Sequence, residues 1–368
     1  MQPPPAQPGM RVDQIDTPAL LIDLDALDYN LDRMADLLRP TGARLRAHAK
    51  THKSPVIARQ QIARGAVGSC VQKVGEAEML AWGGIPDILV SNEIISPAKM
   101  ARLIALAGIA HVAICADDPH QVVLLEQAAA HCGYRQTVLV EIDAGMGRCG
   151  IQPGPKAVSL AQQIAALPHL IFGGLQSYHG TAQHFRSTDE RAAAISHTVT
   201  VTRRTIEQLR QQGLRCAIVG GGGTGSFELE AASGVFNEIQ ASSYCFMDAD
   251  YARNQGGASS GFRQALFVLA TVMSARPGMA VLDAGHKAFA VDSGLPLVWS
   301  RPEIRMTGAS DEHGKLEWQD GAGLRLGEPV WLVPGHCDPT VDRFDWYVGM
   351  RAGRVECLWP VAARGALH

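Results

Sequence analysis

The sequence predicts an α/β fold, in which a (β/α)8 TIM-type barrel is followed by a smaller C-terminal β domain. Between about residues 45 and 245, short β-rich runs alternate with helical stretches rich in alanine, leucine and glutamine. Beyond residue 260, short apolar runs are separated by glycine, proline and aspartate turns. The first pattern is typical of parallel strands joined by helices, and the second of a β domain. A doubly wound open sheet is the alternative to the barrel, but it normally has fewer strands and a phosphate loop after the first.

Eight runs are predicted to form the barrel strands, and all but the last are followed by enough chain for a helix. They are residues 45–50, 69–73, 88–92, 112–117, 138–143, 172–180, 216–222 and 238–244. The clearest predicted helices are Val74–Trp82, His120–His131 and Thr188–Gln212. We predict an N-terminal lead-in at 1–27 that can join the β domain, a barrel at 28–255 and a β domain at 256–368.

Composition excludes several classes of protein. The 368 residues carry a formal net charge of −3, without the basic patch that nucleic-acid binding needs. No apolar run reaches the roughly 18 residues of a membrane span, and the proline-rich start does not resemble a secretory signal. The 8 cysteines are scattered without a C-x-x-C pair, which favours a reducing compartment. We therefore expect a cytoplasmic protein that acts on a small molecule.

A lysine ends the first predicted strand. The run RLRAHAKTHK at 44–53 contains Lys50 and Lys53. Active sites of (β/α)8 barrels lie at the C-terminal ends of the strands, and a lysine there suits carbonyl chemistry, that of pyridoxal phosphate included. A solvated basic turn is the simpler interpretation. The functional hypothesis makes Lys50 a Schiff-base lysine.

Two further motifs follow the fifth and sixth predicted strands. The glycines between Glu141 and Gly150 predict a tight turn that presents Arg148 at the barrel mouth, near a phenolate or phosphate oxygen. His179, in SYHG, is a candidate acid–base group because an imidazole transfers protons near neutral pH. The structural alternatives are a surface arginine and a packed core histidine.

The glycine loop, residues 220–226, follows the seventh predicted strand with the sequence GGGGTGS. Consecutive glycines allow backbone N–H groups to approach an anion, and barrels often bind phosphate after strands seven and eight. A flexible loop is the alternative. Its position favours phosphate binding.

The run VWLVPGHCDPT near the C-terminus contains His336, Cys337 and Asp338. In an extended backbone, residues i and i+2 point to the same face, so His336 and Asp338 are expected to converge while Cys337 points away. An imidazole beside a carboxylate suits a borderline or hard divalent cation. We call His336 and Asp338 the predicted metal pair.

Together these motifs resemble the fold-type III pyridoxal-phosphate enzymes, the alanine racemase-like proteins. HAKTHK, CVQKVGEAE, GLQSYHG, GGGTGS, QASSYCFMDADY and PGHCDPT are similar to the branch that holds D-threonine aldolases and the D-serine and D-threo-3-hydroxyaspartate dehydratases. In this branch, the motif at the metal site resembles His-x-Asp in the aldolases and His-x-Cys in the dehydratases. The resemblance of His336-Cys337-Asp338 to the first motif therefore indicates an aldolase. The resemblance implies pyridoxal-phosphate- and metal-dependent cleavage of D-threonine and related D-β-hydroxy-α-amino acids to glycine and an aldehyde.

The resemblance also implies the role of each site residue. Lys50 and His179 are the expected catalytic residues, and His336 and Asp338 the expected metal ligands. Manganese is the expected metal, with zinc, cobalt, nickel or magnesium as alternatives, and a homodimer is the expected assembly. The expected cofactor contacts are Lys50, Arg148, Tyr178, Gly221, Gly222, Gly223, Thr224 and Gly225.

Other functions remain as alternatives. A D-serine or D-threo-3-hydroxyaspartate dehydratase would use Lys50 to take the α-proton, and Cys337 would bind the metal if the backbone bulged at Gly335. A non-catalytic barrel that only holds pyridoxal phosphate would not need the β domain. An alanine racemase would not need the predicted metal pair.

Overall fold

The computed structural model describes residues 2–319, 321 and 323–368. It contains a closed barrel of eight parallel strands surrounded by helices and a second sheet of nine strands. The predicted fold class is therefore confirmed, and each of the eight predicted runs overlaps a barrel strand.

The chain enters through the second sheet before it forms the barrel. Strand β1 (Ala19–Asp23) is followed by helix α1 (Leu24–Leu38). The barrel strands are β2 (Arg44–His48), β3 (Gly68–Val71), β4 (Asp87–Glu93), β5 (His111–Ala116), β6 (Gln136–Glu141), β7 (Leu170–Gln176), β8 (Ile218–Gly221) and β9 (Glu238–Ile239). The helices between and after them are α2 (Pro55–Ala63), α3 (Val74–Trp82), α4 (Pro97–Ala105), α5 (Pro119–Cys132), α6 (Pro155–Ala166), α7 (Thr188–Gln211) and α8 (Phe227–Ala232).

The helix ends follow from local chemistry. Helix α5 begins after Asp118, whose carboxylate accepts the backbone N–H of His120. It ends at Gly133, which has a φ of +71° that favours glycine. Helix α7 begins with a reciprocal capping box between Ser187 and Glu190.

A buried ion pair joins the first and last barrel strands. Arg46 donates from Nε to Glu238 at 2.6 Å and from Nη1 to Asp87 at 2.6 Å. The side chains of Arg46 and Glu238 are only 3% and 2% exposed. These contacts fix the closure between β2 and β9, which pair in parallel.

The second sheet has β1 near its centre. The remaining strands are β10 (Leu266–Arg276), β11 (Met279–Leu282), β12 (Leu297–Val298), β13 (Arg305–Ala309), β14 (Gly314–Glu317), β15 (Pro329–Val333), β16 (Trp346–Arg351) and β17 (Arg354–Pro360). Strand β1 pairs antiparallel with β10 and parallel with β16, so the N-terminal lead-in contributes to this sheet. A short helix, α9 (Cys337–Val341), follows β15.

The two parts share a hydrophobic core. Phe246 from the barrel and Tyr347 from β16 pack with their ring centroids 5.8 Å apart. The Tyr347 hydroxyl donates to the carbonyl of His52 at 2.7 Å. This contact holds the second sheet against the segment that follows β2, and the start of α9 lies beside the same end of the barrel. Within the described residues, no helix is both long and apolar enough to cross a membrane.

Candidate active site

A cavity of about 520 Å³ lies at the C-terminal end of the barrel strands. This volume lies within the usual range for a small-molecule site. The barrel loops and the segment that follows β15 both contribute to its wall. The predicted site residues that line it are Lys50, Arg148, Tyr178, Gly223, Thr224, His336 and Asp338.

Lys50 is held in this cavity by a carboxylate. Its ammonium group forms an ion pair with Asp338. The surrounding protein opposes the lysine charge, but Asp338 raises the pKa of Lys50 above its ordinary value. Burial likewise opposes ionisation of Asp338, yet Lys50 and His336 lower the pKa of that carboxyl.

Lys53 has a different, structural environment. Its side chain is only 8% exposed and lies 3.2 Å from a Glu76 oxygen and 3.0 Å from an Asp342 oxygen. It therefore links the barrel to the residues that follow α9, and it does not line the active-site cavity.

The turn after β6 presents Arg148 as the sequence predicts. The Asp143 carboxylate accepts the backbone N–H groups of Gly145 and Gly147 at 3.0 Å each, which fixes a tight turn. The Arg148 guanidinium lies 5.9 Å from the centroid of the Tyr178 ring. Arg148 and Tyr178 thus form a cationic and aromatic wall of the cavity.

Only part of the glycine loop reaches the cavity. Gly223 and Thr224 line it, whereas Gly221 lies in β8 and the Gly225 N–H donates to Gln183 Oε1 at 2.9 Å. A Cβ at Gly221 would lie 2.1 Å from the carbonyl oxygen of Ser177, so packing alone requires that glycine. Gly222 has a φ of +77° and turns the chain out of the strand.

The structure does not bring His179 into the cavity. Its Nδ1 accepts the backbone N–H of Ala182 at 3.3 Å. Its Nε2 faces Gly145, where a Cβ would lie 3.0 Å away. Burial lowers the pKa of His179. The imidazole packs against Gly145 in the turn that carries Arg148. Strand β7 ends at Gln176, before the end of the predicted strand.

A histidine that the sequence analysis missed lies in the cavity. His184 ends the 3-10 helix Thr181–His184, and its Nδ1 lies 2.6 Å from an Asp250 oxygen. Although burial favours the neutral acid, hydrogen bonds from Arg186 and His184 lower the pKa of Asp250. The only signal in the sequence is that a second histidine follows SYHG closely in AQHFR.

The predicted metal pair lines the cavity, but its backbone differs from the prediction. His336 is extended, with φ −143° and ψ 124°, whereas helix α9 begins at Cys337. Strand alternation therefore does not explain the placement of His336 and Asp338. The cause is a helix start, in which the Cys337 N–H donates to Asp248 Oδ2 at 2.9 Å.

The side chains of this segment have distinct environments. His336 Nδ1 lies 2.7 Å from an Asp292 oxygen, so Nε2 is the ring nitrogen that could bind a metal. Cys337 is fully buried, and burial raises the pKa of its thiol well above the ordinary value. In the part of the chain that the structure describes, no group of three or more His, Cys, Asp or Glu side chains is arranged to hold a metal ion.

The cavity floor is polar and was not predicted. Gln176 and Gln240 exchange two amide hydrogen bonds of 2.8 and 2.7 Å. His48 Nε2 lies 2.9 Å from Gln72 Nε2, and burial lowers the pKa of His48 well below its ordinary value. These uncharged groups form the floor of the cavity between the charged side chains of Lys50 and Arg148 and the barrel interior.

Comparison with known proteins identifies the class. The family model for the alanine racemase N-terminal domain matches residues 22–249, and the model for a putative serine dehydratase domain matches residues 265–350. The chain therefore belongs to the alanine racemase-like family, which is a family of pyridoxal-phosphate enzymes. The resemblance predicted from the sequence is confirmed.

Within this family, the chain is similar to aldolases over its whole length. A 3-hydroxy-D-aspartate aldolase from Paracoccus denitrificans (strain Pd 1222) is 46% identical over 98% of this chain and 95% of its own. A D-threonine aldolase from Arthrobacter sp. is 44% identical over 99% of this chain and 96% of its own. The crystal structure of a D-threonine aldolase from Filomicrobium marinum has a TM-score of 0.97 and 48% identity, and the match covers 99% of this chain and 100% of that one.

Proposed function

We propose that the chain cleaves D-threonine and related D-β-hydroxy-α-amino acids into glycine and an aldehyde, with pyridoxal phosphate and a divalent metal. One observation carries this proposal: Lys50, His184 and the predicted metal pair line the same cavity. A lysine can hold the cofactor, a histidine can act as the base, and a bound metal can polarise the hydroxyl group in a metal-assisted aldol cleavage.

The cavity fits pyridoxal phosphate. Lys50 would hold the carbonyl carbon of the cofactor, and Arg148 and Tyr178 would bind near its ring. Gly223 and Thr224 line the cavity, and glycine-rich backbone of this kind lets N–H groups approach a phosphate closely. When bound, pyridoxal phosphate supplies an electron sink for the electron pair of the broken Cα–Cβ bond.

The donor set at the predicted metal pair fits a divalent cation that keeps open positions. His336 supplies an imidazole nitrogen and Asp338 a carboxylate, and Asp292 orients the ring from the far side. A hard carboxylate favours manganese, with zinc, cobalt, nickel or magnesium as alternatives. When bound, the metal supplies Lewis acidity that makes a hydroxyl proton easier to remove.

His184 is the base in this proposal. It lines the cavity, whereas His179 does not. His184 would take the proton of the β-hydroxyl group, so that an aldehyde leaves as the Cα–Cβ bond breaks. A proton returned to Cα then gives glycine. The carbon atoms from Cβ onward leave as the aldehyde, so no other reactant is needed.

The presence of Asp338 in the cavity favours aldol cleavage over dehydration. Asp338 lines this cavity, while the neighbouring thiol of Cys337 is buried and has a raised pKa. Cys337 does not line the cavity, so its thiol is not placed to bind a metal there. The site thus offers a carboxylate where a dehydratase of this branch would offer a thiolate.

The proposal includes the organisation of the protein. Residues 28–255 would hold the cofactor, and 256–368 would supply the metal ligands, with 1–27 joining the second unit. We propose a cytoplasmic homodimer as the working form. Light scattering of the purified full chain would test the assembly, and a monomeric mass with full activity would contradict it.

One assay tests the function. The protein is incubated with D-threonine, pyridoxal phosphate and Mn²⁺, and the products are separated and identified. Glycine and acetaldehyde are the expected products, while 2-oxobutanoate and ammonia would identify a dehydratase instead. L-threonine serves as the matched substrate control. Binding of the cofactor without any product would show a non-catalytic barrel.

A further inference from the structure

We propose that Asp250 is a positioning residue that fixes the tautomer and orientation of His184, so that the Nε2 lone pair of this imidazole serves as the proton acceptor. This inference rests on the proposed function for the identity of the base. The tautomer itself is a property of the folded chain and can be measured without the reaction.

The contacts of Asp250 define which ring nitrogen carries the proton. Its Oδ1 atom accepts from Arg186 at 2.5 Å and from Arg253, and its Oδ2 atom lies 2.6 Å from His184 Nδ1. Two guanidinium groups on one oxygen keep this carboxyl ionised, and an ionised carboxylate only accepts hydrogen bonds. The hydrogen of the neutral His184 ring therefore lies on Nδ1.

The ring needs such a partner because it is only partly enclosed. The His184 side chain is 51% exposed, whereas that of Asp250 is 5% exposed. Tyr251 packs near one side of the ring, with centroids 6.2 Å apart. A half-exposed imidazole without a fixed acceptor would rotate and exchange tautomers, and only one of these states places an acceptor nitrogen at the substrate.

The same segment also holds the residues before the predicted metal pair. Ala249 N–H donates to the Pro334 carbonyl at 3.0 Å, and Asp250 N–H donates to the Gly335 carbonyl at 3.2 Å. Arg186 Nη1 donates to the carbonyl of Asp250 at 2.8 Å, which anchors the backbone from the other side. Asp250 therefore sets the base in a fixed relation to the segment that carries His336.

The test compares Asp250→Asn with wild-type protein by two measurements. The first is the ¹⁵N NMR spectrum of ¹⁵N-histidine-labelled full chain, with and without pyridoxal phosphate, in which His184→Gln assigns the signal. Wild-type protein is expected to show His184 protonated at Nδ1. An asparagine amide can donate to Nδ1, so Asp250→Asn should shift His184 toward the Nε2-protonated tautomer.

The second measurement is the steady-state rate. Asp250→Asn should lower kcat by about 10²-fold, the lower end of the loss expected for a general base, with little change in KM. Asp250→Glu keeps the acceptor and should restore part of kcat. Glu126→Gln is the matched control, because Glu126 holds His169 at the same kind of contact, 2.7 Å, away from the cavity.

The outcomes separate this inference from the proposed function. An Nε2-protonated His184 in wild-type protein would overturn it, even if Asp250→Asn does not fold. An unchanged tautomer and kcat in folded Asp250→Asn would overturn it as well. If wild-type protein forms no glycine from D-threonine, the proposed function fails, while the spectra still decide the role of Asp250.

Discussion

The ammonium group of Lys50 and the carboxylate of Asp338 form an ion pair that joins two distant parts of the chain. Lys50 follows the first barrel strand, and Asp338 lies in the helix after β15. Each residue shifts the pKa of the other in favour of the charged form. The site is therefore complete only when the second sheet packs on the barrel.

Lys50→Ala should abolish the visible absorbance of bound pyridoxal phosphate and all turnover, because no other lysine lines the cavity in the described residues. Each protein is dialysed against buffer that contains pyridoxal phosphate, and absorption spectra then measure the bound cofactor. Lys156→Ala, at an exposed position in α6, is the control and should retain both. Lys53 is unsuitable as a control because its buried contacts with Glu76 and Asp342 are structural. Retained absorbance and turnover in Lys50→Ala would contradict the assignment.

His184→Asn should lower kcat by about 10²–10⁴-fold, the usual loss when a general base is removed, while the cofactor still binds. His179→Asn is the paired variant. It should retain a larger fraction of the wild-type kcat than His184→Asn, because the His179 ring packs away from the cavity. Rates with D-threonine and cofactor absorbance would be measured on both. A larger loss of kcat in His179→Asn than in His184→Asn would mean that His179, as predicted from the sequence, is the base.

His179 and His184 show which parts of the site can be predicted from the sequence and which cannot. Alternation of strands and helices predicts the barrel, and strand ends predict which loops carry the site. Lys50 and Arg148 follow from this argument because each lies in the loop after a barrel strand, Lys50 after β2 and Arg148 after β6. His184 does not, because a 3-10 turn brings it back to the cavity and its partner Asp250 is 66 residues away in the chain.

The predicted metal pair shows a second limit. His336 and Asp338 do line one cavity, but the reason given by strand alternation is wrong, since α9 begins at Cys337. The cause is Asp248, whose carboxylate accepts the first helical N–H. Such a contact depends on tertiary packing between segments 89 residues apart, and a local pattern carries no sign of it.

Asp338→Ala should remove both activity and metal dependence, whereas Cys337→Ser should retain most of both. After chelation, Mn²⁺ should restore wild-type activity at least as well as Zn²⁺, because the site offers a carboxylate rather than a thiolate. Metal titration of chelated protein, followed by rate measurement, tests this. An essential Cys337 with a clear preference for Zn²⁺ would assign the chain to the dehydratases, and 2-oxobutanoate should then form from D-threonine.

Glu238→Gln should lower the free energy of unfolding by about 3 kcal/mol or more, because it leaves the buried Arg46 guanidinium with only part of its counter-charge. Urea unfolding followed by circular dichroism measures the change. Glu317→Gln breaks an exposed ion pair with Lys315 and should cost less than about 1 kcal/mol. Equal effects of the two substitutions would show that Arg46 and Glu238 do not stabilise the barrel closure.

Glu141→Gln should change the dependence of stability on pH. Burial and the neighbouring Glu93 raise the pKa of Glu141 to about 9, compared with an ordinary value of 4.5. The folded protein therefore binds more protons than the unfolded chain between these values, and this contribution to stability is lost as pH rises toward 9. Since Glu141 and Glu93 interact, the titration belongs to the pair.

Glutamine mimics the neutral acid at every pH, so the melting temperature of Glu141→Gln should rise relative to wild-type protein as pH increases from about 5 to about 9. Melting curves of both proteins across this range give the difference directly. The contributions of titrating groups remote from the pair cancel, so the difference reports the coupled titration of Glu141 and Glu93. Glu207→Gln, at an exposed position in α7, should show no such trend. A difference that stays constant with pH would mean that Glu141 is already ionised in the folded protein at neutral pH.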